Sequence, residues 1–121
     1  MALTPQILED RLVAFGTEAC FAIGRMPNDL VGTHVSKQLI RSATSPAANY
    51  AEARSAESRR DFVHKLQICL KELRETSVWL GFAHRLWKGN PDTMHLAQEC
   101  DELISIFVKT VNTTRNSNRK R

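Results

Sequence analysis

The chain has 121 residues, 42% apolar and 25% charged, which fits one domain, leaves little room for two, and is the balance of a soluble globular protein rather than a disordered one. Five glycines and four prolines are too few for an all-β chain of tight turns, and no run of 18 apolar residues offers a membrane span. The net charge of +4 is a tail effect: four of the 17 basic residues (Arg115, Arg119, Lys120, Arg121) fall in the last seven positions without an acid, and the rest of the chain balances 13 basic against 13 acidic side chains.

Four segments of helical period follow one another. The first spans about residues 5–26, with Leu8, Leu12, Phe15, Ala19, Ala22, Ile23 and Met26 on one stripe. Thr4-Pro5 is a start signal, a hydroxyl cap followed by proline at the first helical position. Pro27 ends the segment by disfavouring helical geometry at the residue before it. The second spans about 28–54, capped by Asn28 or Asp29, with Val31, Val35, Leu39, Ala43 and Tyr50 inward. Pro46 inside it removes a hydrogen bond and predicts a kink near 42–46. The run Ser42-Ala43-Thr44-Ser45-Pro46-Ala47-Ala48 is small enough for another backbone to approach closely.

The third segment spans about 58–88, with Ser58 and Asp61 at its start and Phe62, Leu66, Cys69, Leu73, Leu80 and Trp87 on one face. Ile68, Trp79, Phe82 and Leu86 lie on the other side, an apolar back that a lone subunit does not need. Gly89-Asn90-Pro91 is a stop and a restart. The fourth segment spans about 91–113, with Ala97, Cys100, Ile104, Phe107, Val108 and Val111 inward. Residues 114–121 have no apolar member and are expected to form a disordered basic tail after a domain of residues 1–113. The fold class is all-α, an up-down-up-down four-helix bundle.

Charge is uneven within the body. Residues 58–89 carry seven basic side chains against three acids, and residues 90–111 carry four acids against one base. This describes two neighbouring helices with complementary faces, or a basic face that attracts phosphate. Three scattered cysteines, Cys20, Cys69 and Cys100, fit reduced, buried thiols of a cytoplasmic protein, and no basic segment with a following apolar stretch marks the chain for secretion.

Catalytic constellations are lacking. No histidine follows a glutamate by three, as a di-iron bundle would need, and Asp61-x-x-His64 is the one near match. His84 falls on the core side of the third helix, where a histidine is an ordinary hydrogen-bonded core residue. Phosphate-loop, dinucleotide and nucleophile-elbow motifs are absent. The expectation is a protein with no catalytic residue, cofactor or metal. Two polar sets remain. His34, Lys37 and Arg41 form one side of helix 2, a solvated face or a phosphate-facing strip; with Arg59, Arg60 and the tail residues Arg115, Arg119, Lys120 and Arg121 they are the candidate nucleic-acid contacts. Asn49, Glu52, Glu72 and Glu75, with Ser45 beside the core stripe, suggest a polar network at a contact between subunits, with Arg41 or Arg54 as the cation.

The run Gln38-Leu39-Ile40-Arg41-Ser42-Ala43-Thr44-Ser45-Pro46-Ala47-Ala48-Asn49-Tyr50-Ala51-Glu52-Ala53 resembles the central motif of bacterial four-helix-bundle proteins associated with intervening sequences of large-subunit ribosomal RNA genes. Asp61-Phe62-Val63-His64-Lys65-Leu66 and Leu70-Lys71-Glu72-Leu73-Arg74-Glu75-Thr76-Ser77-Val78-Trp79-Leu80 resemble its second block, and the likeness spans about residues 10–110. One departure is Ala53, where a glycine usually follows the Ala-Glu pair. The resemblance implies a bundle that closes into a ring, of five subunits, without known enzymatic activity; similar accessory bundles of diversity-generating retroelements bind nucleic acid and a reverse transcriptase. Carried onto this chain, Arg41, Asn49, Glu52, Glu72 and Glu75 are the motif's polar, structural members. The resulting expectation is a homo-oligomer joined through Ser45, Asn49, Glu52, Ile68, Glu72, Glu75, Trp79, Phe82 and Leu86, binding RNA or DNA weakly. The alternative is a scaffold or accessory subunit for a protein partner. No membrane role is expected.

Overall fold

Each expected helix start is built from the residues that announce it. The computed structural model of the chain describes residues 2–88 and 90–119, with side chains as far as Ser117. The helices are α1 (Pro5–Ile23), α2 (Leu30–Arg54), α3 (Arg59–Leu86) and α4 (Pro91–Arg119), and no strand occurs among the described residues. Thr4 Oγ1 accepts the Ile7 N–H at 3.1 Å, Asp29 Oδ1 that of Gly32 at 2.8 Å, and Ser58 Oγ that of Asp61 at 3.0 Å. Asn90 Oδ1 accepts the Asp92 N–H at 2.9 Å at the start of α4. Asp29 rather than Asn28 is therefore the cap of α2.

Each helix packs on two neighbours, α1 on α2 and α4, α3 on α2 and α4, and the diagonal pairs do not meet among the described residues. Short connections between long helices make consecutive ones antiparallel. The core is a single cluster, filled by Leu12 and Phe15 of α1, Leu39 and Tyr50 of α2, Leu66, Leu73 and Leu80 of α3, and Leu96, Leu103 and Phe107 of α4. Tyr50 meets Phe107 edge to face at 5.7 Å between ring centres. Gly16 lets α1 approach α2: a Cβ there would lie 3.2 Å from the Ala43 carbonyl oxygen. The small-residue run of α2 thus serves a contact inside the subunit, with Ser42, Ala43 and Pro46 buried. Gly32 is required more strictly, because an added methyl would collide with the Pro27 carbonyl.

Several details differ from expectation. α1 stops at Ile23, where Arg25 and Met26 N–H groups turn back to the Ala22 and Ile23 carbonyls in tight i→i−3 bonds; the restriction before Pro27 is met by unwinding a turn early. Val31 is exposed. The buried stripe of α4 is Thr93, Leu96, Cys100, Leu103, Phe107 and Val111; Ala97, Ile104 and Val108 are only half-buried. Both stripes share Cys100, Phe107 and Val111, and Leu96 and Leu103 take the inward positions beside them. Ala53, at the family's glycine position, is buried in α2, whose last residue is Arg54.

The expected disordered tail from residue 114 is corrected as far as Arg119, which is the last residue of α4. No glycine or proline follows Asn90-Pro91 to stop the helix. Thr110 and Thr114 direct their hydroxyls to carbonyls four residues back, at 2.7 and 2.8 Å, so neither competes for the helix with an alternative turn. Lys120 and Arg121 lie outside the described residues.

Candidate functional site

The expected interface residues of α3 fall at positions 68, 72, 75, 79, 82 and 86, steps of four and three that keep them on one face beside α2. Arg41 of α2 reaches across to this face. Its Nη1 donates to Glu72 Oε2 at 3.2 Å, and its Nη2 donates to Glu75 and, at 3.3 Å, to Gln38 Oε1. Glu75 also accepts the Trp79 indole N–H at 3.1 Å. Trp79 in turn meets His34 edge on at 5.5 Å and Phe82 at 5.4 Å. The structure therefore joins Arg41, Glu72, Glu75, Trp79, Phe82 and His34 in one seam along the α2–α3 groove. Half of Phe82 and of Leu86 is exposed. Ile68, Ser45 and Asn49 are half-buried further along, where Asn49 Nδ2 donates to the Ser45 carbonyl at 3.0 Å, and Glu52 closes the series on Lys65 at 3.2 Å. Arg54, the other candidate cation, is elsewhere, bound to Glu9 and Gln6 of α1.

Leu30, absent from the expected set, falls on the same side of α2 as His34 by its helical spacing. It is 88% exposed and lies four residues before His34 on α2. Its spacing to His34 was the available signal.

The charge blocks do not face one another as expected. The acids of α4 meet α1: Arg11 Nε and Nη2 donate to the two oxygens of Glu99 at 2.8 and 2.7 Å, Nη2 also reaches Glu102 at 2.7 Å, and Arg25 pairs with Asp92. These hydrogen bonds hold the Glu99 carboxyl below the usual carboxylate range and raise the Arg11 guanidinium. No ion pair joins α3 to α4 among the described residues. Helix α4 has two neighbours, and Asp92, Glu99 and Glu102 reach toward the α1 side.

The candidate nucleic-acid residues divide into two places. His34 and Arg41 are engaged in the seam, and Lys37 is exposed beside them. Arg59, Arg60 and Arg115 gather about 30 Å away along α3, at 1.5 Å per residue from Trp79, where α3 begins. There they line a cavity of about 400 Å³ with Val63, His64, Gln67 and Thr114. Arg119 ends α4, and its side chain, like Lys120 and Arg121, lies outside the description.

Cys69 and Cys100 are buried, with thiols pushed up to about 12 by that burial, and each Sγ faces a backbone carbonyl, Pro46 at 3.6 Å and Leu73 at 3.2 Å. Cys20 is exposed, against expectation, because it lies one position past the buried Ala19 and so about 100° from the stripe. His84 is exposed for the same reason, next to the buried Ala83. Among the described residues no three histidine, cysteine or carboxylate side chains cluster as metal ligands do, and no helix is long and apolar enough to cross a membrane.

The family described as 23S rRNA-intervening sequence protein matches residues 17–109 of the chain. A solved structure from Bacteroides thetaiotaomicron VPI-5482, a protein of unknown function from the S23 ribosomal protein family, is similar at 28% identity and a TM-score of 0.81, over 91% of this chain and 99% of that one. No curated protein matches. The matched stretch contains both motif blocks and the whole α2–α3 seam, and the chain belongs to the 23S rRNA-intervening sequence protein family.

Proposed function

We propose that the chain is a non-enzymatic, cytoplasmic subunit of a homo-oligomeric ring that binds nucleic acid weakly and without sequence preference. One observation carries this reading: the seam of Trp79, Phe82 and Leu86, ordered around the Arg41–Glu75 pair, leaves aromatic and aliphatic surface in water beside half-buried carboxylates. A second subunit laid on it removes that surface and dries the ion pairs. Five subunits is the number that the family likeness suggests. A bend of α2 at Pro46, which lacks the N–H for the bond to residue 42, helps the groove follow the curve of such a ring.

Nucleic-acid binding follows from assembly. The unpaired cations of a single subunit are spread over several helices, and weak contacts to phosphate fade at moderate salt. A ring repeats the same basic end in every subunit, which multiplies the affinity when one strand spans several of them. Light scattering of the purified chain tests the first part: a mass several times the 13.7 kDa subunit is expected, and a solitary subunit in dilute solution overturns the reading. Fluorescence anisotropy with labelled RNA and DNA strands tests the second. Binding at low salt that weakens steeply as salt rises is expected, and no binding at low salt ends the nucleic-acid reading.

A further inference from the structure

The arginines of this chain are not equivalent. Arg11, Arg25, Arg41 and Arg54 each end on a carboxylate. Arg59, Arg60 and Arg115 end on none among the described residues, and they converge from two helices on one cavity of about 400 Å³. His64 and Gln67 add to its polar wall, and no acidic side chain lines it among the described residues. One atom there is anomalous. Arg59 Nη1 is shut off from solvent and has no hydrogen-bond partner among the described residues. A charged donor removed from water is costly unless an acceptor meets it, and no described carboxylate pairs with Arg59.

Helix stability does not explain the placement. Arg59 and Arg60 are the first two residues of α3, at the positive end of its dipole, where cations are disfavoured. Only Arg115, near the end of α4, complements its own helix. Three like charges around a concavity raise one another's energy and lower that of an oxyanion among them. Guanidinium groups present paired N–H donors matched to phosphate oxygens.

We propose that this cavity is a phosphate-binding site, held by Arg59, Arg60 and Arg115 with His64 and Gln67 as further polar contacts, and that its occupant is a backbone phosphate of bound nucleic acid. The occupant rests on the function proposed above; the anion chemistry does not.

The test uses the full chain, the double variant Arg59→Gln/Arg115→Gln, the milder Arg60→Gln/Arg115→Gln in case the first folds poorly, and Arg74→Gln as a control outside the cavity. Inorganic pyrophosphate probes the anion site through the melting temperature, and a labelled oligonucleotide probes the strand through anisotropy over a salt series. Pyrophosphate is expected to raise the melting temperature of the wild type and of Arg74→Gln but not of the double variants. Oligonucleotide affinity is expected to fall about tenfold or more in the double variants, with the slope of log affinity against log salt shallower by about two. If the wild type answers pyrophosphate but binds no oligonucleotide, the named occupant is overturned along with the nucleic-acid reading, and the anion site is upheld. If oligonucleotide binds equally to wild type and double variants and pyrophosphate changes nothing, the site is overturned and the nucleic-acid reading survives.

Discussion

Two arginines make the same clamp on opposite flanks of the bundle. Arg11 of α1 spans Glu99 and Glu102 of α4, and Arg41 of α2 spans Glu72 and Glu75 of α3, so each bridges carboxylates three residues apart on the next helix. Their surroundings differ. Beyond Glu102, the same face of α4 continues with Ile106 and Lys109, and the clamp closes a groove inside one subunit. Beyond Glu75, it continues with Trp79 and Phe82, and the clamp shares its carboxylate with an indole N–H at the edge of exposed apolar surface. One local device thus serves as an internal seal on one flank and as the polar centre of a sticky seam on the other. What separates them is the residue type at the next two turns.

The largest expected difference is in assembly. Replacing Trp79 and Phe82 together by serine should collapse the light-scattering mass several-fold, to a single subunit, whereas Arg11→Met should leave it unchanged; equal behaviour of the two would erase the distinction. Stability comes next. Arg11 is doubly bonded to Glu99 and partly buried, so Arg11→Met should cost about 1–2 kcal/mol in urea melts. Arg41 is half exposed, so in the dissociated subunit Arg41→Met should cost at most about 1 kcal/mol. A larger cost on the Arg41 side would reverse the assignment.

Acid sharpens the contrast further. The Glu99 carboxyl is lowered by Arg11, so the folded state binds its proton less readily than the unfolded chain. Its contribution is present above the ordinary carboxyl range, near pH 4, and is lost as pH falls through the lower folded value. Glu99→Gln should therefore flatten the fall in stability between about pH 5 and pH 2. The smallest effect is in thiol reactivity. Cys20 should react with an aromatic disulfide on mixing, while Cys69, facing the Pro46 carbonyl of α2, and Cys100, facing the Leu73 carbonyl of α3, should wait for unfolding. Unequal waiting times for the two buried thiols would reveal whether the α2–α3 or the α3–α4 contact opens first.

Caps and proline positions made the helices legible, since Thr4-Pro5, Asp29, Ser58 and Asn90-Pro91 act through bonds to residues two or three places away. The face of α4 was less legible because Leu96 and Ala97, or Leu103 and Ile104, are adjacent apolar residues, and periodicity alone cannot choose between neighbouring stripes. The seam could be read on α3 from Trp79, Phe82 and Leu86 opposite the core stripe. Arg11 could not, because its partners lie 88 and 91 residues away and nothing local marks an arginine as one that crosses to α4. The basic end was half legible: Arg59 and Arg60 stood out by charge, but their meeting with Arg115 depends on how α3 and α4 are paired end to end.

The length of α4 changes the mechanics of that end. From Val111, its last buried residue, to Arg119 the rod covers about 12 Å at 1.5 Å per residue. A floppy string would let its cations wander and would have to be immobilised each time a ligand arrived. A stiff post meets that entropic cost once, as the chain folds, and fixes the spacing between Arg115 and the cations at the start of α3 like teeth on a gauge. Under the proposed nucleic-acid reading, selectivity at such an end would come from distance along the strand rather than from the order of its bases.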